Sequence, residues 1–173
     1  AEEAVDRWGI TQVVFNDHLP HDRLAEGRRP PRLTGQALKS GRNPEAHLAL
    51  MMRLHAAAGD VPAALDALCA RLAAKGVAMG SHDDRTAGQR AAWRARGVHL
   101  SEFPETMEAA KAAREGGDGV VLGAPNVVRG ASHAGNIAAS EIIAAGFCDA
   151  LASDYHYPSP VRAALRLVEL GIL

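Results

Sequence analysis

Val77-Ala78-Met79-Gly80 runs straight into Ser81-His82-Asp83-Asp84, and this switch from apolar to ionisable residues decides how the chain is read. The switch recurs. Val13-Val14-Phe15 gives way to Asn16-Asp17-His18, and the run from Val98 to Ser101 gives way to Glu102-Phe103-Pro104. Val120-Val121-Leu122 likewise leads into Gly123-Ala124-Pro125-Asn126, and Ala150-Leu151-Ala152 into Ser153-Asp154-Tyr155-His156. A short continuous apolar run fits a strand buried on both faces. Segments of helical periodicity separate the last four runs, so an α/β fold with a parallel sheet is expected. In such folds the chemistry sits at the carboxyl ends of the strands, which is where these polar clusters fall.

Working outward, helical patterns span Pro44 to Ala58 and Val61 to Lys75, with Asp60 as an N-cap and Gly76 as a stop for the second. Further helices are expected over Ala87 to Arg96, Glu105 to Glu115, Gly135 to Ala145 and Pro160 to Leu170. The stretch 21–43, rich in Arg, Pro and Gly, reads as a long irregular loop within a single α/β domain over 1–173. The last four strand ends recur about every 20 to 30 residues, the pitch of βα units with one crossover helix. Five such units are too few to close an eight-stranded barrel, so the sheet is either part of a larger barrel or an open doubly wound sheet.

Composition narrows the function. With 47% apolar and 23% charged residues over 173 positions, the chain has globular composition and enough length for a real core. A net charge of −1 supplies no basic field for nucleic acid, and 4% aromatics supply no stacking platform for bases. Neither a long apolar run nor a signal-like start is present, so a cytoplasmic protein with no membrane partner is expected. Cys69 and Cys148 belong to no ligand spacing and read as packing thiols. None of the three lysines lies at a strand end, which argues against Schiff-base chemistry.

Each polar cluster has a functional and a structural reading. His82, emerging at a strand end before two carboxylates, offers an imidazole ligand with an oxygen ligand or base beside it; Asp83 or Asp84 could equally cap the next helix. Asp154, pinned at the end of an apolar strand, suits metal binding or proton abstraction, and alternatively a turn ahead of Pro158. Tyr155 and His156 beside it also suit a rim. His18 is a third strand-end candidate, favoured over His21 by its nearness to the strand. Glu102 is a weaker one, since Pro104 suits an ordinary turn. The glycine-rich stretch 123–136, read as a loop leading into a helix, carries Asn126, Arg129, Ser132, His133 and Asn136 as donors for an anion. It has neither the Walker A nor the dinucleotide spacing.

Together, GAPNVVRGASHAGN (123–136), SHDD (81–84), SEFPETMEAA (101–110) and ASDYHYPS (152–159) resemble the PhnM family of phosphonate-metabolism diphosphatases over roughly the last hundred residues; FNDHLPHDRLA (15–25) resembles it less strictly. That family is similar to the amidohydrolase superfamily, whose distorted (β/α)8 TIM barrels hold one or two divalent metals at the strand ends. The resemblance implies hydrolysis of α-D-ribose 1-methylphosphonate 5-triphosphate to the 5-phosphate and pyrophosphate in the carbon–phosphorus lyase pathway. It implies His82 as a metal ligand, Asp154 as the final-strand aspartate that binds metal or takes the water's proton, and the stretch from Arg129 to Asn136 as a triphosphate or phosphonate contact. With the strand-end reading of the residues added, the expected site is a divalent metal, zinc or manganese, on His82, Asp154 and His18, with Asp154 and Asp83 as catalytic carboxylates and Asn126, Arg129, Ser132, His133 and Asn136 as substrate contacts. The runs then correspond to the later barrel strands, without the family's first-strand metal motif. A fragment inactive alone, and associating through exposed barrel edges or as a homo-oligomer, is expected. Gly130-Ala131 stands where the family often has two glycines. Hydrolysis of an amide or cyclic amide, and a noncatalytic phosphate-binding module, remain the alternatives.

Overall fold

The computed structural model describes residues 2–130 and 136–173. In chain order the elements begin with α1 (Glu2–Trp8), β1 (Gln12–Phe15), α2 (His21–Ala25), α3 (Leu33–Lys39) and α4 (Pro44–Ala56). A 3-10 turn at Ala58–Asp60 precedes α5 (Val61–Ala74), β2 (Ala78–His82), α6 (Ala87–Arg94), β3 (Leu100–Glu102) and α7 (Met107–Glu115). The remainder comprises β4 (Gly119–Gly123), α8 (Ala124–Arg129), α9 (Ala139–Ala144), β5 (Ala150–Ala152) and α10 (Ser159–Glu169). They form two compact units, one of Ala1–Asn16 with Cys69–Leu173 and the other of Asp17–Leu68.

The first unit is an open five-stranded sheet in the order β1-β2-β3-β4-β5, every pair parallel. A doubly wound sheet reverses its strand order at a switch point, and this sheet does not; consecutive neighbours are what successive units of a (β/α)8 barrel produce.

The strands are not buried equally on both faces, as their apolar runs suggest. Along β4, Val120 and Leu122 are buried, while Gly119, Val121 and Gly123 are half-buried. Ser81, Ser101 and Val120 lie in one buried row across β2, β3 and β4. The alternate row brings Leu100 between Gly80 and Gly119, where an added Cβ would approach Leu100 to 3.2 Å on either side. Two glycines therefore admit one leucine. By strand alternation, His82 and Glu102 continue this second, half-buried face.

A buried ion network holds the first face to α6. Arg90, fully buried, donates through Nη1 to Ser81 Oγ at 2.5 Å and Asp84 Oδ2 at 3.0 Å, and through Nη2 to Asp118 Oδ2 at 2.7 Å and the Val98 carbonyl at 3.2 Å. Arg94 and His99 also meet Asp118. Arg94 lies across Gly116, where an added Cβ would sit 1.8 Å from the guanidinium. Beside the network Phe15 stacks on Trp93, ring centroids 5.4 Å apart. Ala110, Val120, Leu122, Ile142 and Leu167 belong to the main apolar core of this unit.

In the second unit the stretch expected to be irregular, 21–43, carries α2 and α3. Neither has a side-chain cap, so no start signal marks them in the sequence. Helices this short take their stability from packing, here Leu24 and Leu33 against Met51. Asn43, by contrast, caps α4 through a 2.7 Å bond from the Ala46 amide, with Pro44 at the first turn.

Candidate functional site

At the carboxyl ends of β2, β3 and β5 the chain turns through unusual backbone. Asp83 (φ 59°), Phe103 (φ 55°) and Asp154 (φ 50°) are the non-glycine residues at positive φ among the described residues, and each directly follows a strand or lies two residues beyond it. The left-handed region costs a side-chain-bearing residue about 1–3 kcal/mol, with Asp among the better tolerated. The turn separates neighbours. Asp84 goes beneath the sheet to accept from Ser81 at 2.6 Å and Arg90 at 3.0 Å, whereas Asp83 lines an open cavity. Asp84 is therefore part of the buried network, and Asp83 is the carboxylate at the site.

The cavity measures about 230 Å³ and gathers strand-end residues from β2, β3, β4 and β5. Asp83, Asp154, Glu105, Asn126, Arg129 and Asn136 supply its polar wall, while Phe103, Leu122 and Ile142 contribute apolar surface. Five of the residues singled out in the sequence thus come together: Asp83, Asp154, Asn126, Arg129 and Asn136. Ser132 and His133 lie outside the described residues.

The stretch 123–136, expected as a loop, contains α8 over Ala124–Arg129. Its signals were present: Pro125 in the first turn, and Gly130 at φ 75° just past the end. Asn126 and Arg129 consequently project from a helix. Asn126 Oδ1 accepts from the Ala139 amide at 3.1 Å, so α9 starts at Ala139, four residues after the expected Gly135. Asn136 Nδ2 donates to Glu105 Oε1 at 2.7 Å, and Glu105 Oε2 pairs with Arg85 at 3.3 Å. Glu105, expected at the start of a helix, instead precedes α7 and lines the cavity. Arg129 donates to the hydroxyl of Tyr155, joining the α8 and β5 ends.

His82 stands beside this cavity. Its Nδ1 is 2.7 Å from Glu102 Oε2 and its Nε2 3.4 Å from Asp83 Oδ1, and the Phe103 ring meets it edge-on at 5.2 Å. A nitrogen and a carboxylate oxygen this close form a donor pair suited to a divalent cation. His18 lies in the second unit. In that unit Asp17 accepts from the Leu19 amide and pairs with His21, which in turn meets His55 at 2.8 Å. Burial pushes the Asp17 carboxyl up, but the Leu19 and His21 hydrogen bonds together bring it below the ordinary value. Burial raises the Cys148 thiol, which argues against a nucleophile there. Among the described residues no helix is long and apolar enough to cross a membrane.

Comparison with known proteins supports the resemblance read from the residues. The chain is 37% identical over 168 residues to alpha-D-ribose 1-methylphosphonate 5-triphosphate diphosphatase of Escherichia coli strain K12, a match covering 97% of this chain and 44% of that protein. The chain thus spans less than half the length of that relative. No family model and no solved structure matches it.

Proposed function

We propose that this chain carries part of the active site of a metal-dependent phosphoanhydride hydrolase of phosphonate catabolism. The reaction is hydrolysis of α-D-ribose 1-methylphosphonate 5-triphosphate to the 5-phosphate and pyrophosphate, on an amidohydrolase-type barrel in the cytoplasm. The observation that carries this reading is the convergence of Asp83, Asp154, Asn126, Arg129 and Asn136 on one cavity, beside the His82–Asp83 donor pair, in a chain similar to a diphosphatase.

A divalent cation on His82 and the strand-end carboxylates would bring the pKa of water toward about 7 and offset phosphate charge. Asp154 accepts the proton of the attacking water. Arg129 binds phosphate oxygens through its planar guanidinium, which Tyr155 holds at the cavity edge without neutralising it. Asn136 and Glu105 keep the far end of the glycine-rich stretch against the cavity wall. Apolar surface from Phe103, Leu122 and Ile142 excludes water and strengthens the charge interactions above it. At about 230 Å³ the cavity is below the roughly 300–1,000 Å³ usual for whole ligands, and suits the reacting phosphate end of the substrate.

The test uses the complete protein supplied with zinc or manganese and follows phosphorus NMR of the 5-triphosphate. Equimolar 5-phosphate and pyrophosphate are expected. Release of orthophosphate alone, or binding of the triphosphate without turnover, would overturn the reading, and the second result would favour a phosphate-binding module.

A further inference from the structure

Asn126 on α8 and Asn136 ahead of α9 both line the cavity, and each commits one end of its carboxamide to the protein. The chemistry of the partners fixes which end. The Ala139 amide can only donate, so Asn126 meets it through Oδ1, at 3.1 Å, and Nδ2 is left over. Glu105, ion-paired with Arg85 at 3.3 Å, can only accept, so Asn136 meets it through Nδ2, at 2.7 Å, and Oδ1 is left over. Among the described residues neither leftover atom has a partner. Backbone bonds hold the second arrangement in place: the Glu105 amide donates to the Asp84 carbonyl at 2.9 Å, and the Glu105 carbonyl accepts from the Ile137 amide at 3.2 Å. With its side chain only 18% exposed, Glu105 has little room to turn.

We propose that the cavity has a donor side and an acceptor side, and that Asn136 determines specificity by accepting a hydroxyl of the sugar that carries the phosphate. On the donor side Asn126 Nδ2 joins the Arg129 guanidinium, and ionised phosphate oxygens, which only accept, are met there. Such oxygens cannot bond Asn136 Oδ1. That atom needs a hydrogen from the ligand, and the donors of a phosphorylated sugar are its hydroxyls. A phosphate ester without hydroxyls would cover this oxygen and leave it unpaired, at the cost of its lost hydration. The inference rests on the phosphate reading of the cavity and adds which phosphate esters it prefers.

The experiment is calorimetric titration of the complete protein, supplied with zinc or manganese, with ribose 5-phosphate and with tetrahydrofurfuryl phosphate, which keeps the ring and the phosphate but has no ring hydroxyl. Neither ligand contains a phosphoanhydride, so the result does not depend on turnover. Ribose 5-phosphate is expected to bind about 2- to 10-fold more tightly, the size of one hydrogen bond. Asn136→Ala should lose that preference while binding tetrahydrofurfuryl phosphate as the wild type does. Asn126→Asp keeps an oxygen for the Ala139 amide and puts negative charge where the donor was. It should retain its melting temperature and weaken both ligands by one common factor, about 10-fold or more, with the preference intact. Equal wild-type affinities, a preference that survives Asn136→Ala, or a parallel loss of both ligands in that variant would overturn the proposal and leave the phosphate site standing. Undiminished binding in Asn126→Asp would overturn the donor side. Binding of neither ligand by the wild type would overturn the phosphate reading itself, and the proposal with it.

Discussion

Arg90 Nη2 donates to Asp118 Oδ2 at 2.7 Å, with both side chains wholly shielded from water. The bond joins α6 to the turn preceding β4, and the same guanidinium reaches Ser81 on β2 and Asp84 just beyond it. Removing one partner leaves the other charge buried, which costs about 3–5 kcal/mol. Asp118→Ala should therefore lower the unfolding free energy by that order in urea titration. A loss under about 1 kcal/mol would mean that water or relaxation replaces the pair.

The same aspartate sets an acid limit. Burial pushes Asp118 up, but hydrogen bonds from Arg94, Arg90 and His99 outweigh it and bring the carboxyl below its ordinary 3.8. A depressed folded value contributes stability that is present above the unfolded pKa and lost as pH falls through the folded one. Unfolding free energy should accordingly decline below about pH 4, and Asp118→Asn should flatten that limb. An equally steep limb in the variant would assign acid unfolding to other carboxylates.

Asp83 and Asp154 occupy left-handed backbone that Asn also tolerates. Asp154→Asn should melt within a few degrees of the wild type yet release pyrophosphate about 100-fold or more slowly, as expected for loss of a general base. Asp154→Val, β-branched, should cost about 1–3 kcal/mol in addition. Wild-type turnover in Asp154→Asn would remove this carboxylate from the chemistry.

Arg129 and Tyr155 are both exposed, so their bond contributes little to stability. Arg129→Ala should keep its melting temperature and lose about 10- to 100-fold in kcat/KM for the triphosphate, the size of one or two charge-assisted hydrogen bonds. Tyr155→Phe should lose only a few-fold, chiefly in KM. Undiminished kcat/KM in Arg129→Ala would rule out phosphate contact by this residue.

Thr86 begins α6 with a reciprocal cap: its hydroxyl accepts from the Gln89 amide at 3.1 Å, and Gln89 Oε1 accepts from the Thr86 amide at 3.2 Å. Thr86→Ala should destabilise the protein by about 1 kcal/mol in thermal or urea unfolding.

Much of this arrangement is legible locally. Val120-Val121-Leu122 reads as a strand because a short apolar run between glycines suits few other elements, and Gly123-Ala124-Pro125-Asn126 marks its polar end. The Pro125 and Gly130 signals of α8 were equally local, but the surrounding glycines disguised them as a loop. α2 and α3 left no comparable signal, because Leu24 and Leu33 acquire their role only on meeting Met51.

By itself, then, the sequence determined the alternation of strands and helices and the collection of ionisable residues at strand ends, since periodicity and turn chemistry act over a few residues. The tertiary structure decided which of two adjacent aspartates is buried with Arg90 and which lines the cavity. It also paired His82 with Glu102, twenty positions away. Those choices depend on strand register and on single left-handed turns, and contacts between distant segments, rather than local pattern, select both.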